Sequence, residues 1–326
     1  MKINLSYECT SDYEINRAEI LDLHERNHGS VPTDRYDSHY MDNPFGEPLM
    51  GLCFHKTKIV GQENYIKHDL ACGGRICKGA LGVDSLVDAD YRLFYGIFGK
   101  LCKLTIGEIK KNVDVLCAFA NEESKKYYLK YFKWQVATKV QVYKKATKYT
   151  GLTREGLLSL VRPGKLHQGL IFEKVNLFDP DVLKPVIEDC LSASDQLYFY
   201  KTPAFLNWKF LSNKHYGVTG YYIKYKGDVI GYCATHDKGF EKKIVDIQLK
   251  RNDIKWFEKA ISTLSCIARK EGLRRLVIYA TPDCWYENAL KKHLFIKRWD
   301  FDFITRTFKP LPDTGWIIHI GDLDVF

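Results

Sequence analysis

Residues 92–100, Arg92-Leu93-Phe94-Tyr95-Gly96-Ile97-Phe98-Gly99-Lys100, mix glycine, cation and apolar side chains at a point where a strand should hand over to a helix. Such an entry can hold an anion. Glycines let the backbone approach the ligand, the first N–H groups of the helix point at it, and the helix dipole adds positive potential. Lys100 adds a full charge. The bland reading of the same residues is a plain strand–helix turn. A second pattern is sharper but badly placed. His24-Glu25-Arg26-Asn27-His28 matches HExxH, which on a helix sets two imidazoles on one face with a carboxylate positioned as base. The match falls at the end of its helix, directly before Gly29-Ser30, and no third ligand follows at metzincin spacing. No metal is expected here.

The elements around these residues repeat. Tyr40, Asn43 and Gly61 answer Phe210, Asn213 and Gly231 at an offset of about 170 residues, with an apolar hairpin in each copy. Phe119-Ala120-Asn121 answers Tyr279-Ala280-Thr281 at an offset about ten shorter. In the first half, helical spacing predicts a helix over Glu14 to Asn27 and another over Ile97 to Lys111. A hairpin is expected from Leu52 to Gly61, a strand from Gly79 to Val87, and a buried parallel strand from Val113 to Ala120. A tyrosine-rich helix carrying Tyr127, Tyr128 and Tyr131 precedes a last strand at Val136 to Tyr143. The second half runs likewise: a hairpin at Tyr221 to Ala234, then alternating strands and helices from Ile244 to Phe308. These patterns predict an α/β (α+β) protein of two tandem domains, each a mixed, mostly antiparallel sheet flanked by helices. The domains are set at 1–146 and 170–326, with a linker at 147–169 that contains Gly151, Pro163 and Gly164.

Length and composition agree with two soluble domains. The chain has 326 residues, is 45% hydrophobic and 27% charged, and holds no apolar run long enough for a membrane helix. Nothing at Met1-Lys2-Ile3-Asn4 resembles a secretory signal, so the cytoplasm is expected. The ten cysteines are scattered through apolar stretches and suit buried thiols. A net charge of +9 favours anionic partners. Because the basic residues are dispersed, a polyanionic small ligand fits better than nucleic acid or a membrane.

In order and spacing, these features resemble the GNAT acyltransferase superfamily. More narrowly, the chain is similar to tandem-GNAT N-acyltransferases acting on nucleotide-linked amino sugars in bacterial surface-sugar pathways, the anthrose pathway among them. The carrying segments are Asn43-Pro44-Phe45-Gly46, Asp90-Tyr91-Arg92 before Gly96, Asn121 after the buried strand, Leu206-Asn207-Trp208-Lys209, and Gly321-Asp322-Leu323-Asp324. The resemblance implies acyl-CoA as co-substrate, held by Leu86, Val87, Arg92, Tyr95, Gly96, Ile97, Phe98, Gly99, Lys100 and Asn121. The loop departs from the family pattern of Arg or Gln with Gly three and five residues later, since Gly96 stands one residue too far from Arg92. In the second half Lys250-Arg251-Asn252-Asp253 enters its helix with no glycine. The first repeat is therefore expected to bind the donor, and the second to be a degenerate copy that shapes the acceptor site.

The resemblance also implies catalytic roles. Tyr128, seven residues after Asn121, is expected to protonate the departing thiolate, against the alternative of a packed tyrosine face. Backbone N–H groups of the Asp84 to Val87 strand, Ser85 among them, would polarise the thioester carbonyl. Asp84 stands open between base, orienting group and structural residue. The acceptor implied is a nucleotide-linked, dTDP-type 4-amino-4,6-dideoxy sugar. Arg35, Tyr40, Asn43, Trp208 and Lys209 are its expected contacts, with Trp208 on the base and the cations on phosphate. Two rivals remain: a tandem-GNAT aminoacyltransferase of the peptidoglycan-bridge type, and a non-catalytic GNAT-like binding module.

Overall fold

The computed structural model describes residues 4–29, 33–93, 96–148, 164–212 and 216–323. The first half contains β1 (Leu5–Thr10), α1 (Tyr13–His28), α2 (Thr33–Tyr40), β2 (Leu49–His55), β3 (Lys58–Lys67), β4 (Leu70–Cys72), β5 (Arg75–Cys77) and β6 (Gly79–Val87). It continues with α3 (Ile97–Ile109), β7 (Val115–Ala118), α4 (Glu122–Tyr131) and β8 (Gln135–Ala146). In the second half come β9 (Leu170–Val175), β10 (Leu197–Phe199), β11 (Val218–Tyr225), β12 (Asp228–Lys238), β13 (Glu241–Leu249), β14 (Arg275–Ala280), β15 (Ile296–Thr307) and β16 (Trp316–Ile317). Its main helices are Pro180–Ala193 and Ile254–Lys270.

The chain divides into two compact units, and neither is a continuous stretch. One comprises 1–70, 77–136 and 303–311; the other comprises 71–76, 137–302 and 312–326. These boundaries differ from the expected 1–146 and 170–326 because the terminal strands are exchanged. In the first unit the strand order is β1-β2-β3-β6-β7, and the end of β15, Ile304 to Thr307, then pairs antiparallel with β7. In the second unit β8 pairs antiparallel with β14, Ala146 opposite Arg275, and the order runs on β14-β13-β12-β11-β9. The main sheet of each unit has one parallel pair among the described residues, β6 with β7 and β13 with β14, and in the second unit's small sheet β10 also pairs in parallel with β16. The expected mixed sheet with flanking helices is thus present in both.

Each core follows from amphipathic spacing. Leu101, Cys102, Ile106 and Ile109 form the buried side of α3. Phe257, Ile261 and Leu264 do the same for Ile254–Lys270. The described ends of the expected linker are docked in the second unit. Thr147 Oγ1 donates to Leu273 O at 2.6 Å, and Lys165 N to Ser262 Oγ at 3.0 Å. Residues 149–163 lie outside the described residues. The β4–β5 arm was not expected. It docks in the second unit's small sheet, where Gly73 N donates to Ser194 O at 2.7 Å. All ten cysteines are free thiols. Among the described residues no helix is long and apolar enough to cross a membrane.

Candidate active site

In the first unit β6 pairs with β7 only from Gly79 to Gly82, opposite Val115 to Ala118. It then runs on to Val87 with β3 on one side and, among the described residues, no strand on the other. An unpaired edge of this kind offers backbone donors and acceptors to an extended ligand. Leu86, buried, and Val87, half-buried, lie along it. The edge leads through a short 3-10 turn, Ala89–Tyr91, to the start of α3.

That start is open. Gly96 is its N-cap at φ 106, and among the described residues no side chain caps the first turn. A side chain at this φ is strained whatever the space around it, so the glycine is required by the backbone. Ile97 is buried against Cys53, Val60 and Leu101, which fixes the helix on the sheet. Lys100 is exposed, with its ammonium 5.2 Å from the centre of the Tyr7 ring. Arg92 folds back, its Nε donating to Val87 O at 3.0 Å and Nη2 to Asn27 Oδ1 at 3.4 Å. Phe98 packs on Tyr127 and Tyr128, ring centres 5.3 and 5.5 Å apart. Gly99 has a packing reason: a Cβ there would come within 2.5 Å of the Tyr127 hydroxyl. It lets α3 and α4 close on each other. Tyr95 lies outside the described residues.

A β-bulge organises the polar groups. Gln62 faces Leu86 and Asn64 faces Val83, so Asp84 and Ser85 together oppose the single residue Glu63. Asp84 takes φ 50, a left-handed conformation that Asp tolerates better than most residues. Strand alternation then sends neighbouring side chains to opposite faces. Gln62, Asn64 and Asp84 meet α1 and α2, whereas Glu63 and Ser85 meet α4.

On the first face Arg35 Nη2 lies 3.1 Å from Asp84 Oδ1. The Tyr40 hydroxyl donates to Asp84 Oδ2 at 2.8 Å and accepts from Asn64 Nδ2 at 2.9 Å. Arg35, Tyr40 and Asp84, all singled out in the sequence, are thus brought together. Burial alone would push the Asp84 carboxyl up, but the His39 imidazole, its Nδ1 4.0 Å from Oδ2, and the charge of Arg35 outweigh it and hold it below the ordinary carboxylate range. A carboxylate so stabilised is a poor proton acceptor; the geometry favours an orienting or structural part. Asn43 does not join this group. Its Nδ2 donates to Lys67 O at 2.9 Å and its Oδ1 accepts from Phe45 N at 3.0 Å, so it closes a turn.

His24, first residue of the HExxH match, is buried on the same face. Its Nδ1 lies 2.8 Å from the Tyr36 hydroxyl and its Nε2 lies 2.7 Å from Gln62 Nε2. Both ring nitrogens are therefore engaged by the fold. Burial lowers its pKa to about 4. A histidine whose folded pKa lies below its unfolded value contributes stability above the unfolded pKa and loses it as pH falls towards the folded one. We expect unfolding free energy to lose about 3 kcal/mol from this residue between pH 6.5 and 4. Glu63, with a raised pKa, acts with the opposite sign. Urea unfolding of wild type and His24→Gln across this window isolates the effect, and equal slopes for the two would contradict it.

On the other face α4 is set by Asn121, whose Oδ1 accepts from Glu123 N at 3.1 Å and Ser124 N at 2.9 Å. The side chain expected to meet the cofactor is an N-cap. Two turns along, Tyr128 is buried, with its hydroxyl 2.7 Å from Glu63 Oε1 and 3.2 Å from Ser85 Oγ. Burial, then the Glu63 carboxyl, push the Tyr128 pKa well above the ordinary phenol value. Burial likewise raises that of Glu63. Sequence reasoning missed Glu63. The available signal was Gln62-Glu63-Asn64, a polar run inside an otherwise apolar strand, all three fully buried.

The second unit serves as an internal control. Gly61 faces Val87 and Gly231 faces Leu249, which makes Asp84 and Asp246 equivalent positions. Asp246 is sealed. Lys201 Nζ lies 2.8 Å from Asp246 Oδ2 and 2.8 Å from Asp322 Oδ1, with all three side chains fully buried. The helix Ile254–Lys270 is capped by Asp253, which accepts from Lys255 N and Trp256 N. A carboxylate sits where an anion would have to bind. Nearby, Trp208 is half-buried against Phe205, ring centres 5.5 Å apart. Lys209 is buried and donates to Leu323 O at 2.9 Å.

No protein-family model matches the sequence. No curated protein matches it either. Solved structures do resemble it in fold. A GCN5-related N-acetyltransferase from Anabaena variabilis superposes with a TM-score of 0.66 at 13% identity, over 93% of this chain and 73% of that one. A probable N-acyltransferase from Enterococcus faecalis gives 0.68 at 12% identity with the same coverage. N-myristoyltransferase from Saccharomyces cerevisiae with bound myristoyl-CoA gives 0.64 at 11% identity, over 97% of this chain and 85% of that one.

Proposed function

We propose that this chain, which has the fold of the GCN5-related N-acetyltransferases, is an acyl-CoA-dependent N-acyltransferase with its donor site in the first unit. The observation that carries the reading is the unpaired edge of β6 running into the uncapped N-terminus of α3, where the second unit has an Asp253 cap instead. The edge suits pantetheine, an extended chain with amides of its own, and the helix start with Lys100 suits a pyrophosphate. The myristoyl-CoA held by the yeast neighbour supports an acyl-CoA donor.

The acceptor we propose is the amine of a nucleotide-linked, dTDP-type 4-amino-4,6-dideoxy sugar of a surface-polysaccharide pathway. The resemblance of the sequence supports it, as does a net charge of +9 for two pyrophosphate-bearing substrates. In the reaction the amine attacks the thioester carbonyl, and N–H groups of the open β6 edge polarise that carbonyl and hold the oxyanion. Asp84, ionised and fixed by Arg35 and Tyr40, orients the site. A mass-spectrometric screen of acyl-CoAs against dTDP- and UDP-linked amino sugars tests this. An N-acylated product and free CoA in equal amounts are expected for at least one pair. Acyl transfer only to other amines would overturn the sugar assignment, and no transfer from any acyl-CoA would overturn the activity.

A further inference from the structure

We propose that Glu63, Tyr128 and Ser85 form a relay that carries a proton from the buried Glu63 carboxyl to the sulfur of the departing thiolate, with Ser85 as the final donor. The inference rests on the acyltransferase reading above and adds the group that holds the proton. Tyr128 is only 3% exposed, and its hydroxyl is enclosed between Glu63 Oε1 at 2.7 Å and Ser85 Oγ at 3.2 Å. Ser85 is exposed and stands on the unpaired stretch of β6. The open edge is thus met by the serine hydroxyl, and the tyrosine lies one hydrogen bond behind it.

The inner end of the chain is built to be neutral. Glu63 is fully buried and, among the described residues, its Oε2 has no hydrogen-bond partner and no cation pairs with it. An ionised carboxylate with an unpartnered oxygen in such a place is strongly disfavoured. The raised pKa agrees in direction. The second unit lacks both ends of the chain: at the register of Glu63 and Ser85 stand Cys233 and Ile247. That unit also lacks the open helix start, so relay and donor site occur together.

The step balances. As the C–N bond forms and the C–S bond breaks, the electron pair of the latter goes to sulfur. Ser85 Oγ–H gives its proton to that sulfur, Tyr128 replaces it, and Glu63 replaces the proton of Tyr128. Glu63 is left as a carboxylate. The nitrogen of the new amide releases its extra proton to solvent, and Glu63 takes one up before the next turnover.

Glu63→Gln keeps the shape and, through its amide N–H, a hydrogen-bond donor to Tyr128, but has no acidic proton. We expect kcat to fall by about tenfold or more with the KM for acyl-CoA unchanged, and Ser85→Ala to lower kcat by a similar ~tenfold factor. In wild type kcat should decline on the alkaline side as Glu63 ionises; Glu63→Gln, which removes the proton, and Ser85→Ala, which cuts it off from the sulfur, should both lose that limb. Wild-type kcat with an unchanged alkaline limb in Glu63→Gln would overturn the relay. An infrared measurement separates this failure from that of the activity itself. A protonated-carboxyl band at neutral pH that vanishes in Glu63→Gln is expected whether or not the right acceptor has been found. Absence of the band overturns the proton store while leaving the transferase reading intact.

Discussion

Tyr128→Phe lowers turnover by about 10- to 100-fold, or roughly 1.4 to 2.7 kcal/mol of transition-state stabilisation. The hydroxyl is the link between Glu63 and the exposed Ser85, and its removal leaves both without that partner. The ring remains, so packing against Phe98 and Trp134 should persist. Acyl-CoA affinity should be preserved, because in the proposed relay the buried hydroxyl passes its proton through Ser85 only after the donor is bound. The expected signature is a fall in kcat with little change in either Michaelis constant. Loss of the Glu63 contact costs some stability, so melting must be compared first. Unchanged turnover in a folded variant would return Tyr128 to packing.

The second large effect is on stability. Asp84→Ala removes the acceptor for Arg35 and Tyr40 and leaves a largely buried guanidinium without its carboxylate. Breaking one partner of such a pair costs about 3–5 kcal/mol. Alanine must also take up φ 50, where Asp is better tolerated. In a chemical-denaturation experiment the variant should be destabilised by this amount, and Arg35→Met with Asp84→Ala should cost less than the sum of the two single changes. Additive costs would mean that the two residues are not coupled. Asp84→Asn that keeps full stability but loses all turnover would instead restore Asp84 as a base.

The sequence carried the elements better than it carried their partners. Amphipathic spacing marked Ile97–Ile109 and Ile254–Lys270 to within two residues, because a buried helix face repeats every three to four positions. It could not show that β8 and the end of β15 are exchanged. Both are alternating strands at the same place in the repeat, and alternation encodes a face, not a neighbour. Short α2 and the β4–β5 arm carry too few periods to stand out.

The site was legible where chemistry depends on local spacing. Gly96 marks a positive φ at a helix start, and Tyr128 lies two turns from the cap Asn121. It was not legible where a long-range contact decides the role. Glu63 gains its place from a bulge in the facing strand, 22 positions from Ser85 along the chain but opposite it in the sheet. Lys209 next to Trp208 has the composition of a phosphate contact, yet a backbone carbonyl more than a hundred residues away takes its ammonium. Gly99 suits a ligand by type and serves the Tyr127 hydroxyl by position.

The central claim, that the first unit binds an acyl-CoA at the entry to α3, is tested most directly by calorimetric titration of acetyl-CoA into wild type, Gly96→Val and Asn252→Trp. Valine at φ 106 forces the helix start out of shape, whereas Asn252 lies at the corresponding entry of the second unit. One site per chain is predicted in wild type, weakened at least ~tenfold in Gly96→Val, a loss of about 1.4 kcal/mol, and unchanged in Asn252→Trp. Binding that survives in Gly96→Val and disappears in Asn252→Trp, or no binding in wild type, would contradict the account.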